Sequence, residues 1–263
     1  MDAVTGARSV LPVEGAGVMG PDPATARALL ARALVPVEGP WRLGWWEGCE
    51  GGVVYAGEDF ATVDYSGAEA LAGDIRALAA KAKAKGEGAG LCGSTFRGDR
   101  RTLAELARWE AVQVDCEPPK DAPEVCTPFG VGWRILGAEA DVDAVAHPSP
   151  SGVHALADGT DAVRWRAWLR IVSVEGDGRG VDPWARAGAL ALRWCLAHLG
   201  VAPVDPAPLA PGAVGWVHPR GGAGLAPDAV RGRETGQAID LGALGVAAVG
   251  AGGVPRPKGG VRG

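Results

Sequence analysis

The chain has 263 residues, 47% of them hydrophobic and 22% charged, with a formal net charge of −5. That length and apolar content support a sizeable core in one large or two small domains. The mild acidity argues against bulk electrostatic attraction to nucleic acid, though not against a local basic groove. Cys49, Cys92, Cys116, Cys126 and Cys195 are odd in number and form no CxxC pair, so they read as reduced, mostly buried thiols rather than a disulfide or zinc framework. No stretch approaches the roughly 20 apolar residues of a membrane span, and no signal-peptide pattern opens the chain. A soluble, cytoplasmic protein is the expectation.

Residues 1–20 show no clear period and read as an arm. The segment 21–34, PDPATARALLARAL, begins with a turn and continues with apolar residues at helical spacing. WRLGWWEG (41–48) reads as a strand or turn, and residues 52–65 as a hairpin. Residues 66–86 form the clearest helix, with Ser66 as cap, Glu69 as capping-box partner, lysines in the last turn and Gly86 as stop. Residues 88–98 give a short strand and turn. RRTLAELARWEA (100–111) has two readings, a short helix or an irregular lead-in to a strand at 111–117. AVAHPSPSGVHAL (144–156) reads as strand, turn, strand. RWRAWLRIVSV (164–174) alternates as a half-buried strand. Residues 182–200 are an amphipathic helix with an Asp cap, Pro in its first turn and Gly at its end. Short strands follow within 201–222. The stretch from 242 to 263 is rich in Gly and Pro and reads as a flexible tail. The fold class expected is α+β, a mainly antiparallel sheet flanked by helices, with one catalytic domain over 21–241.

Four stretches could carry chemistry. In VQVDCEPP (112–119), Asp115 and Glu117 share one face of a strand, because side chains repeat every two residues. Two like charges there become tolerable when a divalent cation lies between them, since Mg²⁺ and Mn²⁺ take oxygen ligands. The competing reading is an edge strand with both carboxylates in water. In HPSPSGVHAL (147–156), two histidines and two serines crowd a Pro/Gly turn and could present donors to a phosphate. No GxSxG elbow accompanies them, so a hydrolase triad fits poorly. RWRAWLR (164–170) places Arg164, Arg166 and Arg170 on one face, suited to phosphate oxygens or to a solvated surface. VAPVDP (201–206) offers Asp205 as a third carboxylate or as a plain turn residue. The glycines of VEGDGRG (174–180) lack the context of a phosphate loop.

The order of these stretches resembles the motifs of the archaeo-eukaryotic primase superfamily, in its primase-polymerase branch from plasmid, phage and mobile-element replication proteins. The acidic pair is VDCE (114–117), the serine-histidine motif SPSGVH (149–154) and the hydrophobic-Asp motif PVDP (203–206). The likeness covers roughly residues 70–220. It implies an RRM-like catalytic fold and template-directed nucleotidyl transfer from dNTPs or NTPs on single-stranded DNA. It further implies two Mg²⁺ or Mn²⁺ ions on Asp115, Glu117 and Asp205. His154 would contact the phosphates of the incoming nucleotide, with Ser149, Ser151, Arg164 and Arg166 as further phosphate or template contacts. A replicative helicase is a candidate partner, although the chain shows no helicase motif and no zinc-binding cluster. The spacing from His154 to Asp205 is long for the superfamily, so Asp177, Asp182 and Glu175 stand as alternative third ligands and His147 as the alternative histidine. A metal-dependent nuclease and a catalytically silent nucleic-acid-binding module are the competing functions.

Overall fold

The computed structural model describes residues 22–47, 60–81, 89–98, 101–118, 126–149, 156, 158–217 and 227–257. In chain order these residues form α1 (Pro23–Ala33), β1 (Leu34–Pro36), β2 (Trp41–Glu47), β3 (Phe60–Tyr65), α2 (Ala68–Lys81), β4 (Ala89–Cys92), β5 (Ser94–Phe96) and β6 (Leu106–Cys116). Then come α3 (Phe129–Glu139), β7 (Ala144–Pro148), β8 (Trp165–Glu175), α4 (Pro183–His198), β9 (Val214–Trp216), β10 (Arg231–Arg233), β11 (Gln237–Ile239) and α5 (Leu241–Gly250). The class is α+β, as the sequence implies.

A larger sheet runs β1-β11-β8-β6-β5, with β7 added on β8 and β10 on β7. Its pairings are antiparallel except β11 with β8. β8 is long enough to serve two partners along one side, β7 over Trp165–Leu169 and β11 at Ile171. A smaller antiparallel sheet runs β3-β2-β4-β9. Within the large sheet the chain passes β6, α3, β7, β8, α4 and then a single antiparallel bridge of Val204 onto Cys116. The lateral order there is Val204, β6, β8, β7.

Both faces of this sheet are covered. Val112, Val114 and Cys116 of β6, with Trp165, Ala167, Leu169 and Ile171 of β8, pack under α1, α3, α4 and α5. On the other face Ala111, Val145 and Trp168 pack against α2 and the smaller sheet. A β-bulge between Trp109 and Ala111 shifts the alternation of β6, so Trp109 points to the helix side and Ala111 to the opposite side. The Trp109 indole N–H donates to the Ala111 carbonyl at 2.7 Å and satisfies a polar group buried at the kink. Downstream of the bulge the odd residues Gln113 and Asp115 face away from the helices.

Helices α1, α2 and α4 form where periodicity predicts them, although the expected Gly86 stop of the second lies outside the described residues. Asp22 accepts from the Thr25 N–H at 2.9 Å and caps α1, and Asp182 accepts from the Trp184 N–H at 2.8 Å and caps α4. At α2 the Glu69 N–H donates to Glu234 instead, and the Glu69 carboxylate accepts from Arg76.

Two expectations are corrected, and a third is not met by the described residues: residues 60–65 pair with β2, while the upstream half of the expected hairpin lies outside the described residues. Residues 101–105 are irregular and β6 already begins at Leu106, so the helical reading of 100–111 fails. The tail expected from 242 opens instead with α5, capped by Asp240 through the Ala243 N–H at 2.9 Å. Leu241, Leu244 and Ala248 are buried against α4. The helix is apolar all round but buries one side, with Val246 left exposed, and its glycine content hid it. Gly188 and Gly245 are what permit the approach: a Cβ on Gly188 would overlap the Leu241 carbonyl, and one on Gly245 the Trp184 carbonyl. The arm at 1–20 lies outside the described residues.

Candidate functional site

Asp115, His147 and Arg166 meet at one end of the large sheet, on the face turned from the helix core, with Glu117, Ser149 and Arg164 just beyond the strand ends. Alternation and register put them in rows across β7, β8 and β6. One row is His147, Arg166, Asp115, each opposite the next. The row below it is Val145, Trp168, Gln113. Beyond the strand ends, the Ser149 N–H donates to the Arg164 carbonyl at 2.7 Å, and Arg164 reaches Glu117 at 3.1 Å.

Asp115 is buried, and its Oδ2 accepts from the Arg166 Nε at 2.8 Å. Burial pushes its carboxyl above the ordinary range. The Arg166 guanidinium opposes that shift, while the nearby charges of Glu117 and Asp205 add to it. Glu117 sits one residue past the strand and is 45% exposed, so its pair with Arg164 is a surface pair. Pro118 follows directly and ends the strand.

Asp205 is delivered by the backbone. Its N–H donates to the Asp115 carbonyl at 2.9 Å, next to the Cys116–Val204 bridge. Its Oδ1 accepts from the Ala207 N–H at 3.0 Å, which fixes the turn after it. Thr127 anchors the approach: its hydroxyl donates to the Gly200 carbonyl at 2.6 Å and accepts from the Ala202 N–H at 3.1 Å. Arg193 adds a bond from Nε to the Val204 carbonyl at 2.7 Å. One strand end and one tethered loop thus bring the three predicted carboxylates near enough for Glu117 and Asp205 to act on the Asp115 charge.

Asp177, Asp182 and Glu175 are excluded as partners of that cluster. β8 runs from Arg166 to Glu175, about 30 Å at ~3.3 Å per residue. Glu175 pairs there with Arg108 at 2.9 Å, Asp177 accepts from the Arg179 N–H, and Asp182 caps α4. His154 and Ser151 lie outside the described residues. His147 occupies the row itself: its Nδ1 lies 2.7 Å from the Pro148 carbonyl, a pure acceptor, so Nδ1 donates there. Its ring packs on Trp168 with centroids 5.3 Å apart.

Arg170 belongs elsewhere. It is buried, pairs with buried Asp143 at 3.0 Å and donates to the Gly39 carbonyl, so it locks strands together. Asp143 in turn accepts from the Thr235 and Gly236 N–H groups, which satisfies the remaining lone pairs of a buried charge. Cys126 lies beside the carboxylates with its thiol pushed up to about 11 by burial, which keeps it protonated at neutral pH. Cys92, Cys116 and Cys195 are buried free thiols as well, in keeping with the reading of reduced cysteines. Gln113 and Trp168 were not anticipated as polar members of this face. The Gln113 Oε1 and Trp168 Nε1 are buried with no hydrogen-bond partner among the described residues.

Among the described residues, no group of three or more His, Cys, Asp or Glu side chains is arranged to hold a metal ion. Asp115 and Glu117 are each paired with a guanidinium. Nor, among those residues, is any helix long and apolar enough to cross a membrane. Comparison of the chain with protein-family models, with curated proteins and with solved structures finds no match.

Proposed function

We propose that this protein is a primase-polymerase of the archaeo-eukaryotic primase type, which transfers nucleotides from dNTPs or NTPs onto a primer along a single-stranded DNA template. The observation that carries the reading is the meeting of Asp115 and Asp205, far apart in sequence, through the Asp205 N–H bond to the Asp115 carbonyl at 2.9 Å. The β6–α3–β7–β8–α4–Val204 connectivity, with lateral order Val204, β6, β8, β7, supports an RRM-like catalytic fold.

Asp115, Glu117 and Asp205 fit divalent cations by donor type, and a cation would offset both the burial that chiefly raises the Asp115 carboxyl and the smaller repulsion from Glu117 and Asp205. They would hold two Mg²⁺ or Mn²⁺ ions. Such ions, when bound, lower the pKa of an attacking 3′-hydroxyl and neutralise charge on departing pyrophosphate. The remaining work falls to this chain's own groups. Arg164 and Arg166 offer guanidinium forks to phosphate oxygens. The Ser149 and Ser151 hydroxyls add donors. A histidine from the β7 end, His147 in the row or His154 further along the chain, orients the phosphates. Gln113 and Trp168 support the row from below.

The ion pairs of Asp115 with Arg166 and of Glu117 with Arg164 favour a second reading, a nucleic-acid-binding module whose carboxylates are neutralised internally. One experiment separates the two. The protein is incubated with a primed single-stranded template, labelled nucleotides and Mn²⁺, beside Asp115→Asn. Template-dependent extension that drops at least a hundredfold in the variant supports the polymerase. Template retention without extension supports the binding module, and a shortened template points to a nuclease.

A further inference from the structure

Resting on that functional reading, we propose that Arg164 and Arg166 are resident counter-cations of the carboxylate cluster and exchange their partners when substrate arrives, so that metal and polyphosphate each bind weakly alone and strongly together. Four features of the site point this way. The two guanidiniums and the two carboxylates alternate in register at adjacent strand ends, Asp115 directly opposite Arg166. The pairs are made, at 2.8 Å and 3.1 Å. Both arginines lie on the face that carries the row, with side chains 17% and 28% exposed, so a ligand can reach them. Asp205, the third carboxylate, is held by a backbone N–H and by no arginine in those pairs, so it stays as an acceptor that repels its neighbours.

The chemistry follows from charge. A guanidinium satisfies a carboxylate or a phosphate through the same planar fork, but not both at full strength. A cation approaching Asp115 and Glu117 must therefore displace the arginines, which costs the ion pairs unless another anion takes them over. A triphosphate supplies that anion. A triphosphate arriving alone must in turn pull the arginines from carboxylates, leaving Asp115 buried and unneutralised. Each ligand thus removes the obstacle to the other, which is reciprocal coupling between two sites. The arginines act as a latch against occupancy by either ligand alone.

The test measures binding of single ligands, with turnover absent. Nucleoside triphosphate binding in EDTA is titrated calorimetrically to the wild-type protein and to Glu117→Gln, Asp115→Asn and Asp205→Asn. Mn²⁺ binding without nucleotide is followed by the free-ion electron paramagnetic resonance signal for wild type and Arg164→Gln. Exchange predicts that Glu117→Gln tightens metal-free triphosphate by about two- to fivefold, the range of an exposed ion pair. It predicts a larger gain, about tenfold, for Asp115→Asn. Arg164→Gln tightens Mn²⁺ by about two- to fivefold. Asp205→Asn is the control, because a general field effect would raise triphosphate affinity there as much as at Glu117. Equal gains in Asp205→Asn and Glu117→Gln, no gain in either paired variant, or weaker Mn²⁺ binding in Arg164→Gln each overturn the exchange. Glu117 and Arg164 form a surface pair, so those variants keep the fold if Asp115→Asn does not. The outcomes separate from those of the parent reading. Paired gains without template-dependent extension leave the exchange standing and sink the polymerase. Extension without paired gains does the reverse.

Discussion

Replacing Arg166 by Met keeps most of the side-chain volume and removes the charge that holds Asp115. At neutral pH this leaves a carboxylate only 8% exposed, facing the charges of Glu117 and Asp205. Breaking a buried pair from one side costs about 3–5 kcal/mol. Asp115 has one escape, which is to take up a proton, and that escape sets a ceiling. Protonating a carboxyl whose unfolded pKa is 3.8 costs about 1.4 kcal/mol per pH unit above that value, so the ceiling is roughly 4 kcal/mol at pH 7 and roughly 1.5 at pH 5. The sign is fixed by the direction of the shift. The folded carboxyl is already raised above its unfolded value, so the stability it contributes is fully present below pH 3.8 and is lost as pH rises through the folded pKa. Removing Arg166 removes the group that opposes the rise, so the loss deepens and extends toward neutral pH. Because the wild-type carboxyl is already raised, part of that cost is present before the mutation, so urea unfolding at pH 5, 6, 7 and 8 should show Arg166→Met destabilised by less than roughly 4 kcal/mol at pH 7 and by less than roughly 1.5 at pH 5, with the larger loss at pH 7. In Arg166→Met/Asp115→Asn the cost should be smaller and flat with pH. A loss equal at pH 5 and 7, or below about 1 kcal/mol throughout, would refute the claim that Arg166 neutralises a buried carboxylate.

Two further expectations concern the scaffold. Gly188→Ala should lower stability by about 1–3 kcal/mol in thermal unfolding, despite the gain of about 1 kcal/mol in helix propensity, because the new Cβ overlaps the Leu241 backbone. A more stable variant would mean that α4 and α5 are not packed this closely. Thr127→Val keeps the shape and deletes the hydroxyl that joins Gly200 to Ala202, so about 1–2 kcal/mol should be lost, with faster hydrogen exchange at the Asp205 amide. Unchanged protection of that amide would show that the loop reaches Asp115 without this tether.

The alternation of RWRAWLRIVSV was enough to place Arg164, Arg166 and Trp168 on one face, because period-two patterning survives in a strand covered on both sides. The same rule paired Asp115 with Glu117, although β6 ends at Cys116 and Glu117 lies one residue beyond it. What alternation could not show was the bulge between Trp109 and Ala111, which sets the phase that turns Asp115 away from the helix core. A bulge leaves no period of its own. α5 was missed for a related reason: Gly and Ala read as linker by composition, yet those small residues let α5 lie against the α4 backbone. β10 and β11, at three residues each, are too short to carry a pattern, although β11 joins β1 to the main sheet.

Asp205 shows where sequence reasoning reaches its limit and what geometry adds. By itself VAPVDP is a turn aspartate before proline, and nothing in its neighbours distinguishes a ligand from a turn former. The side chain in fact does the turn's work, accepting the Ala207 N–H at 3.0 Å. Its position comes from elsewhere: the Val204 bridge to Cys116, the Thr127 hydroxyl and Arg193 each fix backbone rather than carboxylate. A backbone clamped from three sides holds Asp205 beside Asp115 whatever its side chain does, at the cost of a like-charge repulsion that adds to the larger effect of burial on the Asp115 carboxyl. Stability alone would select against that arrangement, since a neutral residue at 205 would keep the turn and relieve the charge. The carboxylate cluster is therefore the part of this fold that packing does not explain, and it is there that ligand binding should be sought first.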